Sequence, residues 1–122
     1  AVKVHRRLGP GLLESAYQAC LAAELENRGV RFVRELELPV VYEGRALDTC
    51  YRLDFLVEDR VVVEVKAVRK LDPIFTAQTL TYLRVGGYPV GLLINFTVPY
   101  LGNGAIRRLV NRYDGARPRD SR

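Results

Sequence analysis

The chain has 122 residues, of which 48% are hydrophobic, so it is long enough to form one compact domain with a buried core. The formal net charge of +5 is a mild basic excess, which is compatible with a polyanionic partner without establishing one. Two cysteines are too few for a disulfide framework or an iron–sulfur cluster, and the single histidine, His5, argues against a histidine metal site or a Ser–His hydrolase.

The chain shows no membrane or export signal, which predicts a cytoplasmic protein. No apolar run approaches the ~20 residues of a membrane span. The first residues lack the basic start, apolar stretch and small-residue cleavage site of a signal peptide. They look instead like the later part of a helix that begins upstream. We therefore interpret Cys20 and Cys50 as reduced thiols.

The first part of the chain predicts one helix and a set of antiparallel strands. The segment Gly9-Pro10-Gly11 is a turn signal, and the apolar residues after it follow helical spacing as far as a glycine C-cap. The following residues alternate as strands do, and Pro39 interrupts them. The predicted elements are a helix over 12–28 with its cap at Gly29, strands over 30–38, 40–42, 47–57 and 61–68, and turns over 43–45 and 58–60.

The second part predicts a helix, a buried strand and a short last helix. Asp72 is a typical N-cap, and Pro73 suits the first helical position. The predicted elements are a helix from Pro73 to about Val85 ending at Gly86-Gly87, a strand over 88–96, a helix over 105–110, and a disordered basic tail over 112–122. This order predicts a single α/β domain over residues 1–111, with a mixed sheet covered by helices.

The segment from Arg52 to Lys66 concentrates charge among valines and leucines. Side chains alternate faces along a strand, so Glu64 and Lys66 share one face, while Val63 and Val65 point into apolar packing. An antiparallel hairpin can place Asp54 on the face of Glu64 and Lys66. Such a cluster is costly unless it binds something, and a divalent metal with a phosphate would satisfy it. The alternative is an ordinary cross-strand charge pair on a solvated face.

Polar residues on the two longer helices also fall on shared faces. Glu14 and Tyr17 are three residues apart on the first helix, and Gln78 and Tyr82 are four apart on the second. Arg52 lies two residues before Asp54 and shares its strand face. The alternatives are a helix-dipole partner for Glu14, a core aromatic for Tyr17, helix–sheet packing for Gln78 and Tyr82, and a surface charge for Arg52.

Three motifs carry a resemblance to known families. Asp54, followed after nine residues by Glu64-Val65-Lys66, resembles the signature of the PD-(D/E)XK nuclease superfamily, with Leu53 in place of its proline. The segment 78–82 looks like the QxxxY motif of the exonuclease branch, and the segment 11–17 matches the signature of the GxxExxY family. The resemblance implies a restriction-endonuclease-like αβββαβ core with a central mixed sheet flanked by helices.

The resemblance also implies a metal-dependent nuclease that acts on DNA. Mg²⁺ or Mn²⁺ would be held by Asp54, Glu64 and the carbonyl of Val65, and Glu14 would reach it directly or through water. Lys66 would orient the attacking water or stabilise the transition state. Gln78 and Tyr82 would hold the substrate phosphate or position Lys66. Arg52 would contact a flanking phosphate, and Tyr17 is included among the substrate-binding residues.

Other functions are compatible with the same fold. One is a catalytically silent module for nucleic-acid binding or assembly, and another is a toxin–antitoxin or defence component whose activity needs a second protein. By analogy with small nucleases and from symmetry statistics we expect a homodimer. Comparing metal binding with salt-sensitive DNA binding distinguishes the enzyme from the module.

Overall fold

The computed structural model of the chain describes residues 1–9, 13–97 and 105–112. Within these ranges the chain forms three helices and five strands. In chain order they are α1 (Val2–Leu8), α2 (Glu14–Asn27), β1 (Phe32–Tyr42), β2 (Arg45–Val57), β3 (Val61–Lys66), α3 (Pro73–Gly86), β4 (Val90–Asn95) and β5 (Ile106–Val110).

The strands form one mixed sheet in the order β1-β2-β3-β4-β5. Neighbouring strands are antiparallel except for β3 and β4, which are parallel. Parallel neighbours need a long crossover connection, and α3 provides it. The predicted class, a mixed sheet flanked by helices, is confirmed.

Helices cover both faces of this sheet. On one face Tyr17 and Leu21 of α2 belong to a buried cluster that includes Val63 and Val65, as the alternation along β3 predicted. On the other face Leu83 of α3 packs in a second cluster with residues of β2 and β3. The two faces of β3 therefore meet different helices, and the face that carries Glu64 and Lys66 lies towards α3.

Local signals account for both ends of α3. The Ile74 N–H donates to the Asp72 carboxylate at 2.9 Å, which is the predicted N-cap, and Pro73 occupies the first turn. At the other end Gly87 adopts a left-handed conformation with φ 73°, and its N–H donates to the Leu83 carbonyl. The predicted helix is confirmed to within one residue at its C-terminus.

The chain differs from the predicted elements in three places. β1 runs through Pro39, with a shift of register between Pro39 and Val41, because an edge strand tolerates a missing N–H at an irregularity. The helix predicted over 105–110 is wrong, because these residues add β5 to the free edge of β4. The strand predicted over 61–68 ends at Lys66.

Other predictions fall partly outside the described residues. Gly9 does end α1, but the rest of the predicted turn, at positions 10 and 11, lies outside these ranges. Apart from Arg112, the predicted tail over 112–122 also lies outside them. The single domain over 1–111 stays a prediction. In the described part of the chain, no helix combines the length and the apolar character that a bilayer crossing requires.

Candidate metal and phosphate site

The site is built where β2 and β3 separate. These strands pair only from Phe55 to Val57 on β2 and from Val61 to Val63 on β3. Beyond this ladder, side chains replace the strand-to-strand bonds. The Asp54 N–H donates to Glu64 Oε2 at 2.8 Å, and the Val65 N–H donates to Asp54 Oδ2 at 2.7 Å. Asp54 and Glu64 therefore converge in the opening between the two strands.

Each carboxylate keeps one oxygen available. Asp54 Oδ1 and Glu64 Oε1 accept no hydrogen bond from any residue in the described ranges. The carbonyl of Val65 faces the same opening, because the N–H and C=O of one strand residue point to the same edge. The opposite edge is used by Lys66, whose carbonyl accepts from the Phe96 N–H at 2.9 Å. The opening thus offers three oxygen donors of the kind that Mg²⁺ and Mn²⁺ bind.

Burial raises the pKa of both carboxyl groups, and the charge of Asp54 adds to the effect on Glu64. Glu64 is only 4% exposed. Its burial, then the charge of Asp54, raise the pKa of Glu64 to about 8, although the Asp54 N–H and Lys66 act in the opposite direction. Burial also raises the pKa of Asp54, against the opposing effects of the Val65 N–H and Lys66. A divalent cation would relieve this repulsion, so the donor set fits such an ion.

Lys66 lies beside the carboxylates without forming a salt bridge to them. Its Nζ lies 4.6 Å from the centroid of the Phe75 ring on α3, in a cation–π contact. Among the described residues, no carboxylate oxygen lies within 4.0 Å of this ammonium. The Lys66 charge is therefore positioned by an aromatic ring and keeps its hydrogen-bond donors available.

Glu14 lies within electrostatic range of this cluster. Burial raises the pKa of Glu14, and the charges of Lys66 and Asp54 act on it in opposite directions. Its carboxylate accepts a 3.5 Å hydrogen bond from Gln18. Across the described parts of the chain, no three His, Cys, Asp or Glu side chains are close enough together to hold a metal ion. Two protein carboxylates thus converge, and Glu14 stands nearby as a third charge.

Tyr82 and Gln78 extend the site along α3. Burial raises the pKa of the Tyr82 phenol, and the carboxylates of Glu64 and Asp54 raise it further, which places Tyr82 close to both acids. Its ring lies 5.7 Å from that of Tyr51 on β2. Gln78 is exposed, and its side chain forms no hydrogen bond within the described residues.

Arg52 and Tyr17 lie outside the cluster. Arg52 is exposed and pairs with Glu37 across the β1–β2 ladder at 3.4 Å. The Tyr17 ring is fully buried and stacks on Phe96 with 4.5 Å between ring centroids. Its hydroxyl donates to the carbonyl of Gly9, so Tyr17 packs the start of α2 against the core.

Two contributors to the site were not predicted. The first is Phe75, whose ring contacts the Lys66 ammonium. The second is Glu35 on β1, which lies opposite Asp54 because its neighbours pair with the neighbours of Asp54, as Arg34↔Phe55 and Leu36↔Leu53. Glu35 has φ 53°, a left-handed conformation that costs a non-glycine residue energy. Its charge also raises the pKa of Asp54. Nothing in the sequence around Glu35 signals this conformation.

Comparison with known proteins agrees with the observed fold. The family model described as the PD-(D/E)XK nuclease superfamily matches residues 1–109. The five-stranded mixed sheet with flanking helices is consistent with the restriction-endonuclease-like fold. No curated protein matches the chain.

Proposed function

Because the chain belongs to the PD-(D/E)XK nuclease superfamily, we propose that it hydrolyses phosphodiester bonds of DNA with a divalent metal ion, Mg²⁺ or Mn²⁺. Nucleic acid is the substrate class of the superfamily, and its members are typically metal-dependent. The observation that carries the proposal is the pair of backbone-to-carboxylate hydrogen bonds at the end of the β2–β3 ladder, from the Asp54 N–H to Glu64 and from the Val65 N–H to Asp54. A backbone ladder would need no carboxylates there, and two raised pKa values make their presence costly.

The metal would be held by Asp54, Glu64 and the carbonyl of Val65, with Glu14 as a nearby acidic group. When bound, such an ion supplies Lewis-acid chemistry that polarises water and phosphate oxygens. The two backbone N–H donors, from Asp54 and Val65, fix the orientation of the carboxylates and leave one oxygen of each free. This pre-organisation supports metal binding without a change of fold.

The other residues act on the substrate. Lys66, held by Phe75, would stabilise negative charge that develops on the phosphoryl group. Tyr82 would donate its hydroxyl to a phosphate oxygen, because its raised pKa keeps the phenol protonated. Gln78, exposed on the same side of α3, would contact the flanking backbone. These roles position the phosphate between the cation Lys66 and the two carboxylates.

Cleavage assays test this function directly. Supercoiled, linear duplex and single-stranded DNA are incubated with Mg²⁺, with Mn²⁺ or with chelator, for wild type, Asp54→Asn and Lys66→Ala. The expected result is a rate loss of about 100-fold or more in each variant. Asp48→Asn removes the same charge from an exposed position and serves as the matched control for Asp54→Asn. If no DNA form is cut, or if the site variants cut as fast as wild type, the proposed catalysis is wrong.

One observation favours a second candidate, a silent binding or assembly module. In the described residues no three-ligand group is assembled, so the metal site depends on two carboxylates and a carbonyl. Calorimetry with Mn²⁺ distinguishes the two functions. Binding that Asp54→Asn abolishes supports the enzyme, whereas salt-sensitive DNA binding without metal binding supports the module.

We further propose that the chain belongs to the GxxExxY branch and that it acts as a homodimer on DNA. The branch assignment rests on two residues of α2. The charges of Lys66 and Asp54 act on the pKa of Glu14, and the Tyr17 hydroxyl bonds to the Gly9 carbonyl and so fixes the start of the helix. The dimer rests on the symmetry of duplex DNA and on the frequency of two-fold oligomers.

A further inference from the structure

The net charge of the chain comes entirely from its last part. Residues 1–72 contain twelve basic and twelve acidic residues, so their charges cancel. Residues 73–122 contain seven arginines and two aspartates, which accounts for the whole +5. Between Asp72 and Asp114 there is no acidic residue. Such a segregated basic excess is typical of a surface that meets a polyanion.

The fold gathers three of these arginines into one groove. Arg84 lies in the last turn of α3, Arg108 lies on the edge strand β5, and Arg112 follows that strand. Together with Leu80, Leu109 and Asn111 they line a groove of about 430 Å³ between α3 and β5. We call this surface the arginine groove.

Within the described residues, the guanidinium groups of these three arginines have no counterion. No carboxylate lies within 4.0 Å of them, and none of them donates a side-chain hydrogen bond there. Arg28 and Arg31, on another surface, do have counterions: Arg28 pairs with Glu24 at 3.1 Å, and Arg31 pairs with Glu58 at 3.1 Å. Like charges that share a groove repel each other, and an anionic ligand would relieve this repulsion.

The arginine groove is separate from the metal and phosphate site. Lys66 lies over Phe75 near the start of α3. Arg84 follows Phe75 by nine residues, which is about 14 Å along the helix axis. Leu80 and Arg84 are offset by two residues from Gln78 and Tyr82, which turns them about 200° around the helix. Different sides of α3 therefore serve the two sites.

We propose that the arginine groove binds the sugar–phosphate backbone of nucleic acid, independently of metal and of cleavage. Guanidinium forks match phosphate oxygens in bidentate geometry, and Arg84 on α3 with Arg112 after β5 can contact successive phosphates of one strand. Leu80, 38% exposed beside Arg84, offers an apolar surface to the sugars. This goes beyond the proposed nuclease function, because it assigns substrate affinity to a surface that carries no catalytic group.

Metal-free binding measurements test the arginine groove. Fluorescein-labelled duplexes of DNA and of RNA, of one mixed sequence, are titrated in chelator at several salt concentrations. The test variant is Arg84→Gln with Arg112→Gln, two exposed arginines that line the groove. The matched control, Arg28→Gln with Arg31→Gln, removes the same charge from another surface. Anisotropy gives Kd, and its salt dependence gives the number of phosphate contacts.

The groove variant is expected to weaken binding about tenfold or more and to lower the salt slope by about 1.8, while the control stays within about twofold of wild type. Loss on DNA, on RNA or on both supports the proposal, and the larger loss identifies the preferred nucleic acid. Equal losses in the groove and control variants would overturn it, because net charge alone would then explain binding. Competition by poly-glutamate as strong as by DNA would also overturn it in favour of an acidic protein partner.

The same titration with Asp54→Asn separates this proposal from the nuclease function. The groove remains a binding site if the Asp54→Asn variant retains wild-type affinity, even where no cleavage is found. Thermal unfolding of the groove variant checks its fold, and exposed arginines are expected to shift stability only slightly. A folded groove variant with wild-type affinity for both nucleic acids would show that the proposal is wrong.

Discussion

At the residue scale, Asp54 and Glu64 hold charges that the fold alone does not require. Each carboxylate accepts a backbone N–H that the opposite strand can no longer satisfy. An amide side chain could accept the same bonds without repulsion. The protein instead keeps two acids together with raised pKa values, which is the pattern expected of a functional site.

Glu64→Gln is predicted to stabilise the metal-free protein at alkaline pH. The pKa of Glu64 rises from an ordinary value of 4.5 to about 8 on folding, so the native state binds a proton more tightly than the unfolded chain does. The resulting stability is present below pH 4.5 and is lost as pH rises through 8, by on the order of a few kcal/mol. The glutamine amide does not titrate and has no such loss. In urea unfolding with chelator, the variant should therefore have a higher free energy of unfolding than wild type at pH 8 and not at pH 4.

Glu26→Gln provides the control for this measurement. Glu26 is exposed on α2, and its replacement removes the same charge from a solvated position. If the Glu26 and Glu64 variants show the same dependence of unfolding free energy on pH, the raised pKa of Glu64 is wrong.

At the element scale, the packing of α3 against the sheet depends on a glycine, Gly91, which has no side chain. A Cβ at Gly91 on β4 would lie 3.2 Å from Cγ2 of Thr79 and 3.3 Å from Cδ2 of Leu83, both on α3. Glycine thus allows a close approach that holds Tyr82 and Phe75 over β3. The position of the site residues on α3 follows from this contact.

Gly91→Val is predicted to lower the free energy of unfolding by about 1–3 kcal/mol, because its branched side chain overpacks this contact. Urea unfolding measures the change. Adding Thr79→Ser removes the nearest methyl group and should recover part of the loss. If the Gly91→Val variant is as stable as wild type, α3 does not pack tightly against β4.

Elements were predictable where their signals are local. The ends of α3 follow from Asp72, Pro73 and Gly87, whose caps involve neighbours in the chain. The segment over 105–110 was mispredicted because it is five to six residues long and holds Arg107 and Arg108 at its centre. Its strand conformation comes from pairing with β4, a partner more than ten residues away in sequence.

At the scale of the whole molecule, the net charge is divided unevenly along the chain. The neutral part, residues 1–72, supplies Glu14, Asp54, Glu64 and Lys66, whereas the basic part supplies the arginine groove. If both proposals hold, the acidic groups and Lys66 of the first part serve turnover, and the groove arginines of the second part serve affinity. We expect substitutions of Asp54 or Lys66 to alter turnover and substitutions of the groove arginines to alter affinity.

The proposed homodimer is a prediction about the whole molecule. Light scattering coupled to size exclusion should give twice the mass of the 13.8 kDa chain. The measurement is made with and without a DNA duplex, since the duplex offers two related strands to two copies. A single-chain mass in both conditions would contradict the prediction.

The sequence by itself determined the fold class, the motif order and the ends of α3. Residue type and spacing suffice for these, because periodicity and capping act over a few neighbouring residues. The superfamily followed from the motif Asp54 … Glu64-Val65-Lys66 and was confirmed by the match over residues 1–109.

Only the tertiary structure decided which of those residues meet. It brought the Asp54 and Glu64 carboxylates together through hydrogen bonds from the Val65 and Asp54 N–H groups. It also set Lys66 over Phe75 and left Arg52 paired with Glu37 on the surface. It also gathered Arg84, Arg108 and Arg112 into one groove. These contacts join residues that are distant along the chain, and their geometry depends on strand separation and helix seating, which local sequence patterns do not encode.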